Sequence, residues 1–339
     1  MNIIYFGTPQ FAVPSLESFI AAPDIDVIAV VTQPDKRRGR GNKLIPSPVK
    51  AVAIEHDIPV WQPRRIKQDE ETLGKLAGAQ ADAFVVVAYG QILSQHILDM
   101  PRLGCINGHG SILPQYRGAA PIQWSLVHGQ SETGITTMLM DVGMDTGPML
   151  LKRTIPIGWL DTTLGLAKVL SVLSAELLVE TLQGLEQGSI QPIPQDDNKA
   201  TYAPLIKKDD YELDWSQSAI ALHNKIRGFA PNCTTTFRKT ALKIKASLPI
   251  HPTIADELIA ALGNEFAEVI QTGVELLSNL EPSQSSPGTV VSLAKNVGAL
   301  VMTGDGLLLL REAQLAGKRS QSGWDFVNGT RMTIGECLG

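Results

Sequence analysis

Cysteine is scarce in this sequence. Three cysteines occur among 339 residues, and Cys105, Cys233 and Cys337 do not have the spacing of metal ligands. Disulfide-stabilised folds and zinc-binding modules place several cysteines at short, regular intervals. The pattern therefore argues against both kinds of protein and favours a reducing compartment.

Long apolar runs are also lacking. No run reaches the roughly 20 residues that a helix needs to cross a membrane. The chain starts directly with a predicted strand, without the basic and apolar segments of a signal peptide. We therefore expect a soluble, cytoplasmic protein with no membrane partner.

Charged residues make up 19% of the chain and leave a formal net charge of -5. This balance argues against a surface that coats nucleic acid, although it is compatible with a local basic patch. With 44% hydrophobic residues the chain can build ordinary cores, and its length predicts two domains. Nothing in the sequence indicates an obligate interface, so we expect a monomer.

The first half of the chain alternates short apolar runs with helical patterns. Residues 83–88 form an apolar run typical of a strand that is buried on both faces of a parallel sheet. Gly7 follows the first predicted strand alone, whereas a dinucleotide fingerprint needs three glycines, so a nicotinamide site is disfavoured. These patterns predict an α/β, Rossmann-like domain with a parallel sheet.

The second half of the chain has a different pattern of predicted elements. Residues 190–204 combine proline and polar residues without periodicity, which is typical of a linker. Five short predicted strands follow and indicate a small OB-like barrel of the kind that often binds oligonucleotides. We predict a Rossmann-like domain over residues 1–189, a linker over 190–207 and an OB-like domain over 208–339, with an insertion at 251–285.

The densest group of chemically active side chains lies in C-I-N-G-H-G-S-I-L-P-Q-Y-R-G, from Cys105 to Gly118. We expect a strand over residues 103–107, with Asn107 and His109 in the crevice where open α/β sheets bind ligands. Because the two residues are two positions apart, both side chains point to the same side. Their amide and imidazole are donors suited to the oxyanion of acyl transfer between nitrogen atoms.

A carboxylate would complete this group. Asp141 and Asp145 follow a strand predicted over residues 132–140, in M-D-V-G-M-D-T-G. Asp145 lies between glycines and can approach the crevice closely, whereas Asp141 can instead hold the loop. Taken singly, a loop histidine or aspartate is more often structural than catalytic. We favour Asp145, because Asn107, His109 and Asp145 all fall at predicted carboxyl ends of parallel strands.

A basic stretch follows the second predicted strand. Among prolines and glycines it carries Lys36, Arg37, Arg38, Arg40 and Lys43. It is either a solvated surface loop or an arm that contacts nucleic-acid phosphates. We favour the arm, because the stretch is long and leaves the same edge of the sheet as the Asn107 crevice. Residues 207–245 of the second half are also locally basic.

The chain resembles the formyltransferases that use 10-formyltetrahydrofolate. Their first signature, N-x-H-x-S-L-L-P-x-x-x-G, is similar to N-G-H-G-S-I-L-P-Q-Y-R-G, and their second is similar to M-D-V-G-M-D-T-G. Three further stretches of this chain resemble the methionyl-tRNA formyltransferase branch of the family: F-G-T-P, T-Q-P-D-K-R-R-G-R-G and R-G-A-A-P-I-Q-W. The resemblance covers residues 1–230 closely and the rest by architecture.

This resemblance implies a reaction and a role for particular residues. The implied reaction transfers a formyl group from 10-formyltetrahydrofolate to the α-amino group of methionine on initiator methionyl-tRNA, for translation initiation, without a metal. The implied catalytic residues are Asn107, His109 and Asp145, and the implied folate-binding residues are Ser111, Ile112, Leu113 and Pro114. The implied contacts to the acceptor end of the tRNA are Arg37, Arg38, Arg40 and Lys43, with Arg40 as the discriminator.

The sequence departs from the family pattern at two places, and it leaves alternative functions possible. Ile112 replaces the usual leucine, which nearly conserves volume, and residues 231–237 lack the usual proline- and tryptophan-containing stretch. The alternatives are formyl transfer to a sugar or nucleotide amine, hydrolysis of the formyl donor, and tRNA binding without catalysis. The basic stretch and second domain argue against a small acceptor, and the three catalytic residues argue against a binding module.

Overall fold

The computed structural model describes residues 1–38, 43–279 and 286–339. By its internal contacts the chain divides into two compact units. The first unit comprises Met1–Pro121, Glu132–Ile155 and Ala167–Pro204. The second unit comprises Ile122–Ser131, Pro156–Leu166 and Leu205–Gly339. The predicted bounds of domains and linker, 1–189, 190–207 and 208–339, stay a prediction.

Helices occur throughout both units. They are α1 (Val13–Ala21), α2 (Pro48–Glu55), α3 (Glu70–Gly78), α4 (Gln95–Leu98), α5 (Pro121–Val127), α6 (Thr163–Glu186), α7 (Ala219–Gly228), α8 (Ala255–Leu262), α9 (Asn264–Asn279) and α10 (Gly323–Thr330). Within the described residues, no helix has both the length and the apolar character that crossing a membrane requires.

Among the described residues, nine strands belong to the first unit. They are β1 (Asn2–Gly7), β2 (Asp26–Val31), β3 (Lys36–Arg38), β4 (Lys43–Ile45), β5 (Val60–Trp61), β6 (Ala83–Val87), β7 (Cys105–His109), β8 (Glu132–Leu139) and β9 (Met149–Pro156). Seven of them form one sheet in the order β5-β2-β1-β6-β7-β8-β9. The strands from β5 to β7 are parallel, and β8 is antiparallel to β7. The predicted α/β fold with a parallel-dominated sheet is confirmed.

Alternate residues of the central strands point to opposite faces of this sheet, and both faces are covered. Ile3 and Val85 lie in one apolar cluster, together with Leu178 of α6. Ile4 and Val86, the next residue along each strand, lie in a second cluster. Strands buried on both faces read as continuous apolar runs, which is why β1 and β6 are evident from the sequence.

Two features of the first unit differ from the sequence prediction. The basic stretch includes a short antiparallel hairpin of β3 and β4, where the sequence predicts a loop. Strand β9 is not predicted at all, although its residues beyond Leu151 alternate between exposed and half-buried. Its apolar start follows directly on the glycine-rich turn, so the period of two is visible over only a few residues.

The described part of the second unit is built on an antiparallel sheet of six strands. They are β10 (Thr234–Phe237), β11 (Thr240–Ile250), β12 (Val290–Ala294), β13 (Gly298–Met302), β14 (Leu307–Leu315) and β15 (Gln321–Ser322), in the order β10-β11-β14-β13-β12 with β15 paired to β14. The predicted small β domain is confirmed. The predicted insertion supplies core residues, because Leu258 of α8 and Phe266 and Ile270 of α9 pack against Leu300 and Leu309.

Candidate active site

Strand β7 presents Asn107 and His109 on one face and Gly108 on the other. A Cβ atom at Gly108 would lie 2.7 Å from Ser174 Oγ and 3.1 Å from Leu178 Cδ1, both on α6. The absence of a side chain there lets α6 pack directly on the strand. The sequence predicts a strand that ends at Asn107, whereas in the structure the strand continues to His109.

Asn107 is held by the neighbouring strand. Its Nδ2 donates to the carbonyl oxygen of Val86 at 3.0 Å. A carbonyl can only accept, so this contact fixes which end of the amide is the nitrogen. Asn107 Oδ1 is buried and has no hydrogen-bond partner in the part of the chain that the structure describes. One amide proton and both lone pairs of Oδ1 are therefore left for another molecule.

His109 is buried and oriented from both sides of its ring. Nε2 lies 2.9 Å from the carbonyl oxygen of Tyr116, so Nε2 carries a proton and donates it. Nδ1 lies 3.6 Å from Asp145 Oδ2. That separation is longer than a hydrogen bond, so the lone pair or proton on Nδ1 is not fully committed to the carboxylate. Nδ1 is thus the ring nitrogen that can interact with a bound molecule.

Asp145 reaches His109 by a different route from the one the sequence indicates. Strand β8 is antiparallel to β7, with Leu139 opposite Ile106, so its carboxyl end is not at the carboxyl end of β7. The expectation that Asp145 follows a parallel strand is therefore wrong. The loop after β8 returns along the sheet instead, and Asp145 Oδ2 accepts a hydrogen bond from the Gly118 amide at 2.8 Å.

Asp141 stabilises this returning loop. Its Oδ1 accepts hydrogen bonds from the Gly143 amide at 3.0 Å and from Thr146 Oγ1 at 2.6 Å. Both donors are local, so Asp141 shapes the turn. This is the alternative role that the sequence leaves open for Asp141, and it is Asp145 that the loop brings to His109.

Residues Ser111 to Pro114 form a tightly bonded turn after β7. Ser111 Oγ donates to the carbonyl oxygen of Gln115 at 2.6 Å, and Leu113 packs with Met138 and Met149. Lys152 Nζ donates to the carbonyl oxygen of Leu113 at 2.5 Å. Burial lowers the pKa of the Lys152 ammonium. The Ser111 hydroxyl is committed to this turn, which agrees with the absence of a nucleophile motif around it.

A cavity of about 270 Å³ opens beside Asp145 and was not predicted from the sequence. Its lining is mainly apolar and comes from the stretch after β6, the end of β8 and the loop after β8: Gln91, Ile92, Leu93, Met138, Met140, Asp141, Val142, Gly143, Met144 and Asp145. Ile92, Val142 and Met144 are 70%, 67% and 64% exposed, so the cavity offers a bound molecule a group of accessible apolar side chains. Apolar residues inside a glycine-rich turn are the signal that could have indicated this cavity.

Comparisons with known proteins identify the family of this chain. A model described as "Formyl transferase" matches residues 1–182, and one described as "Formyl transferase, C-terminal domain" matches residues 205–331. The chain belongs to the formyl transferase family. The resemblance carried by its two signature motifs is thereby confirmed.

Several curated proteins are similar to this formyl transferase over its full length. One from Trichormus variabilis, named methionyl-tRNA formyltransferase, is 64% identical over 100% of this chain and 99% of its own length. One of the same name from a Nostoc species is 62% identical, with the same coverage of both chains. A solved sugar 3N-formyl transferase, crystallised with dTDP and 5-N-formyl-THF, is 18% identical with a TM-score of 0.62, over 94% of this chain and 99% of that chain. This last likeness shows a shared fold.

The basic residues predicted to contact tRNA are placed only in part. Arg37 lies on β3 and is exposed. The backbone of Arg38 pairs with that of Lys43 in the hairpin. Arg40 lies outside the described residues. Within the described ranges, no group of three or more His, Cys, Asp or Glu side chains is placed to hold a metal ion.

Proposed function

We propose that this formyl transferase transfers the formyl group of 10-formyltetrahydrofolate to the α-amino group of methionine on initiator methionyl-tRNA. The observation that carries the proposal is the full-length likeness to curated proteins named methionyl-tRNA formyltransferase, at 64% and 62% identity. The grouping of Asn107, His109 and Asp145 beside an apolar cavity supports the chemistry.

The neutral methionine amine is the nucleophile, so no serine or cysteine is needed. Attack on the formyl carbon converts its carbonyl oxygen into an oxyanion, and donors aimed at that oxygen are usually the largest catalytic term. The free Nδ2 proton of Asn107 and a proton on His109 Nδ1 supply two such donors. Collapse of the tetrahedral intermediate then breaks the bond from the formyl carbon to N10, which leaves the new amide on methionine.

Asp145 has two roles in this proposal. Its carboxylate faces His109 Nδ1 at 3.6 Å and helps to orient the ring, whose Nε2 donates to the Tyr116 carbonyl oxygen. It also lies where it can take the proton that the attacking amine loses and return it to the leaving N10. The proton is conserved overall, since one leaves the amine and one arrives on N10.

The cavity beside Asp145 supports a folate site. A flat, mostly apolar ring system suits a lining of Ile92, Leu93, Met138 and Val142, and the cavity volume of about 270 Å³ fits part of such a cosubstrate. Leu113 packs behind Met138 and so supports the cavity wall. We therefore retain Ser111, Ile112, Leu113 and Pro114 as predicted folate-site residues and add the cavity lining to them.

The direct test is transfer of radiolabelled formyl from 10-formyltetrahydrofolate to charged initiator tRNA. We expect labelled methionyl-tRNA with the charged initiator and little label with uncharged or elongator tRNA. Release of labelled formate without tRNA would indicate a hydrolase, and labelling of an amino sugar or nucleotide would indicate a small acceptor. Binding of tRNA without any turnover would indicate a binding module.

His109→Ala tests the chemistry within the same assay. Loss of one oxyanion donor should lower kcat by at least about 100-fold, with little change in affinity for either substrate. His96→Ala is the matched control, because His96 is exposed on α4. Turnover near the wild-type rate in His109→Ala would contradict the role of His109 as an oxyanion donor.

A further inference from the structure

The 190–204 segment, which has the composition of a linker, is hydrogen-bonded into the first unit along its length. Ile193 exchanges two backbone hydrogen bonds of 2.8 Å with Met149 at the start of β9. Thr201 accepts from the Arg117 amide at 2.9 Å through its carbonyl, and from the Tyr116 amide at 2.9 Å through Oγ1. The segment therefore runs along the 114–118 turn, whose Tyr116 carbonyl holds His109.

Gln195 connects this segment to the loop that carries Asp145. Its Nε2 donates to the carbonyl oxygens of Asp145 at 2.8 Å and of Gly147 at 2.7 Å. Its Oε1 accepts from Arg117 Nε at 3.0 Å. The Arg117 side chain is 2% exposed and pairs through Nη2 with Asp197 at 2.8 Å. Both amide protons of Gln195 are thus donated to backbone carbonyl oxygens of one loop.

That loop needs support at Asp145. Asp145 has a φ of 56°, in the left-handed region, which is disfavoured for any residue with a side chain. Such a conformation persists only where the surroundings fix it. Gly118 fixes the carboxylate end of Asp145 and Gln195 fixes its carbonyl. The distance from Asp145 Oδ2 to His109 Nδ1 depends on both contacts.

We propose that Gln195, oriented by Arg117, is a positioning residue that holds Asp145 in its catalytic place. The inference rests on the proposed function, because it assigns Gln195 to the same reaction. Gln195 does not itself line the cavity, and its hydrogen bond to the Asp145 carbonyl connects it to the site, so it acts through Asp145. A displacement of about 1 Å in a reacting group lowers turnover by up to about 100-fold. Loss of this support should therefore reduce kcat and leave substrate binding intact.

Gln195→Glu tests this role with little change in shape. The carboxylate keeps an acceptor for Arg117 but replaces the two donated protons by an oxygen that faces two carbonyl oxygens. We expect kcat to fall by about 10-fold to 100-fold, with both KM values within about two-fold of the wild type. Gln191→Glu is the matched control, since Gln191 is exposed in the same segment and gains the same charge. Equal kcat in Gln195→Glu and wild type would overturn the proposal.

Hydrogen–deuterium exchange gives a readout that does not require activity. In Gln195→Glu, exchange should accelerate at the Gly118 amide and across residues 140–148, while β6 stays protected. Acceleration that includes β6 would mean general unfolding and would contradict a positioning role. Arg117→Lys, which can still pair with Asp197 but has no Nε, should show the same pattern more weakly. If the wild type transferred no formyl group, the proposed function would fail, and the exchange data would still decide what Gln195 holds.

Discussion

His109 and His223 are both buried, and both direct Nε2 at a backbone carbonyl oxygen. The second nitrogen distinguishes them. His109 Nδ1 faces the Asp145 carboxylate, whereas His223 Nδ1 lies 3.0 Å from Ser247 Oγ and accepts its proton. His223 is therefore a neutral ring with both nitrogens satisfied, consistent with a structural role. His109 keeps one nitrogen for chemistry.

The neutral state of His223 predicts a pH dependence of stability. Burial lowers the pKa of His223 to about 3, against about 6.5 in the unfolded chain. Below about pH 6.5 the unfolded chain binds a proton that the folded one does not, so stability falls as the pH drops from about 6.5 towards 3. Between pH 7 and 5 this amounts to about 2 kcal/mol in the free energy of unfolding.

His223→Gln should remove that contribution, although it also lowers stability at neutral pH. Urea unfolding at pH 7 and pH 5 measures it, because the other titrating groups are common to both proteins and cancel in the difference. His56→Gln is the control, since His56 is exposed. The same loss of stability on acidification in wild type and His223→Gln would contradict the assignment.

At the scale of elements, sequence periodicity predicts which side of a strand a residue faces, but it does not predict whether neighbouring strands run parallel or antiparallel. The two-residue spacing of Asn107 and His109 predicts their shared side, because alternation within a strand is a local property. Whether β8 runs parallel or antiparallel to β7 is set by pairing between distant residues, and the sequence prediction of Asp145's route fails there. The hydrogen bonds of the 190–204 segment could not be predicted from the sequence for a related reason. Proline and polar residues look alike in a free linker and in a segment whose backbone bonds to another.

Two glycines with open space around them should respond oppositely to alanine. Gly74 lies inside α3 and Gly188 follows α6 with a φ of 68°, and a Cβ at either position would meet nothing within 4 Å. Gly74→Ala should therefore stabilise the chain by about 1 kcal/mol through helix propensity. Gly188→Ala should destabilise it by about 1 kcal/mol, because alanine disfavours positive φ.

Thermal unfolding of the two variants beside the wild type checks the pair. Since both sites have room for a methyl group, packing cannot produce the opposite signs. A lower melting temperature for Gly74→Ala, or a higher one for Gly188→Ala, would contradict the expected backbone effects.

At the scale of the whole molecule, the chain carries a net charge of -5 and yet has a polyanion as its proposed substrate. Attraction must then come from local groups of basic residues rather than from the overall field. The basic stretch that includes β3 and β4 is one such group, and Arg37 on it is exposed. We retain Arg37, Arg38, Arg40 and Lys43 as the predicted tRNA contacts.

Arg40→Ala tests this group. It should raise the KM for methionyl-tRNA, reduce the slope of log affinity against log salt by about 1, and leave folate binding unchanged. Lys67→Ala is the control for loss of an exposed positive charge elsewhere in the first unit. An equal loss of tRNA reaction and folate binding would show that the stretch serves folding or the folate site instead.

The hydrogen bonds of the 190–204 segment also bear on recombination. Homologous enzymes are often shuffled, in nature and in the laboratory, by joining one parent's first half to another's second half at the stretch between compact units. A crossover at residue 190 would pair one parent's Arg117 and Asp145 with the other's Gln195 and Thr201. A crossover after Pro204 would inherit all four from one parent. Chimeras of this family should therefore be joined where the segment ends.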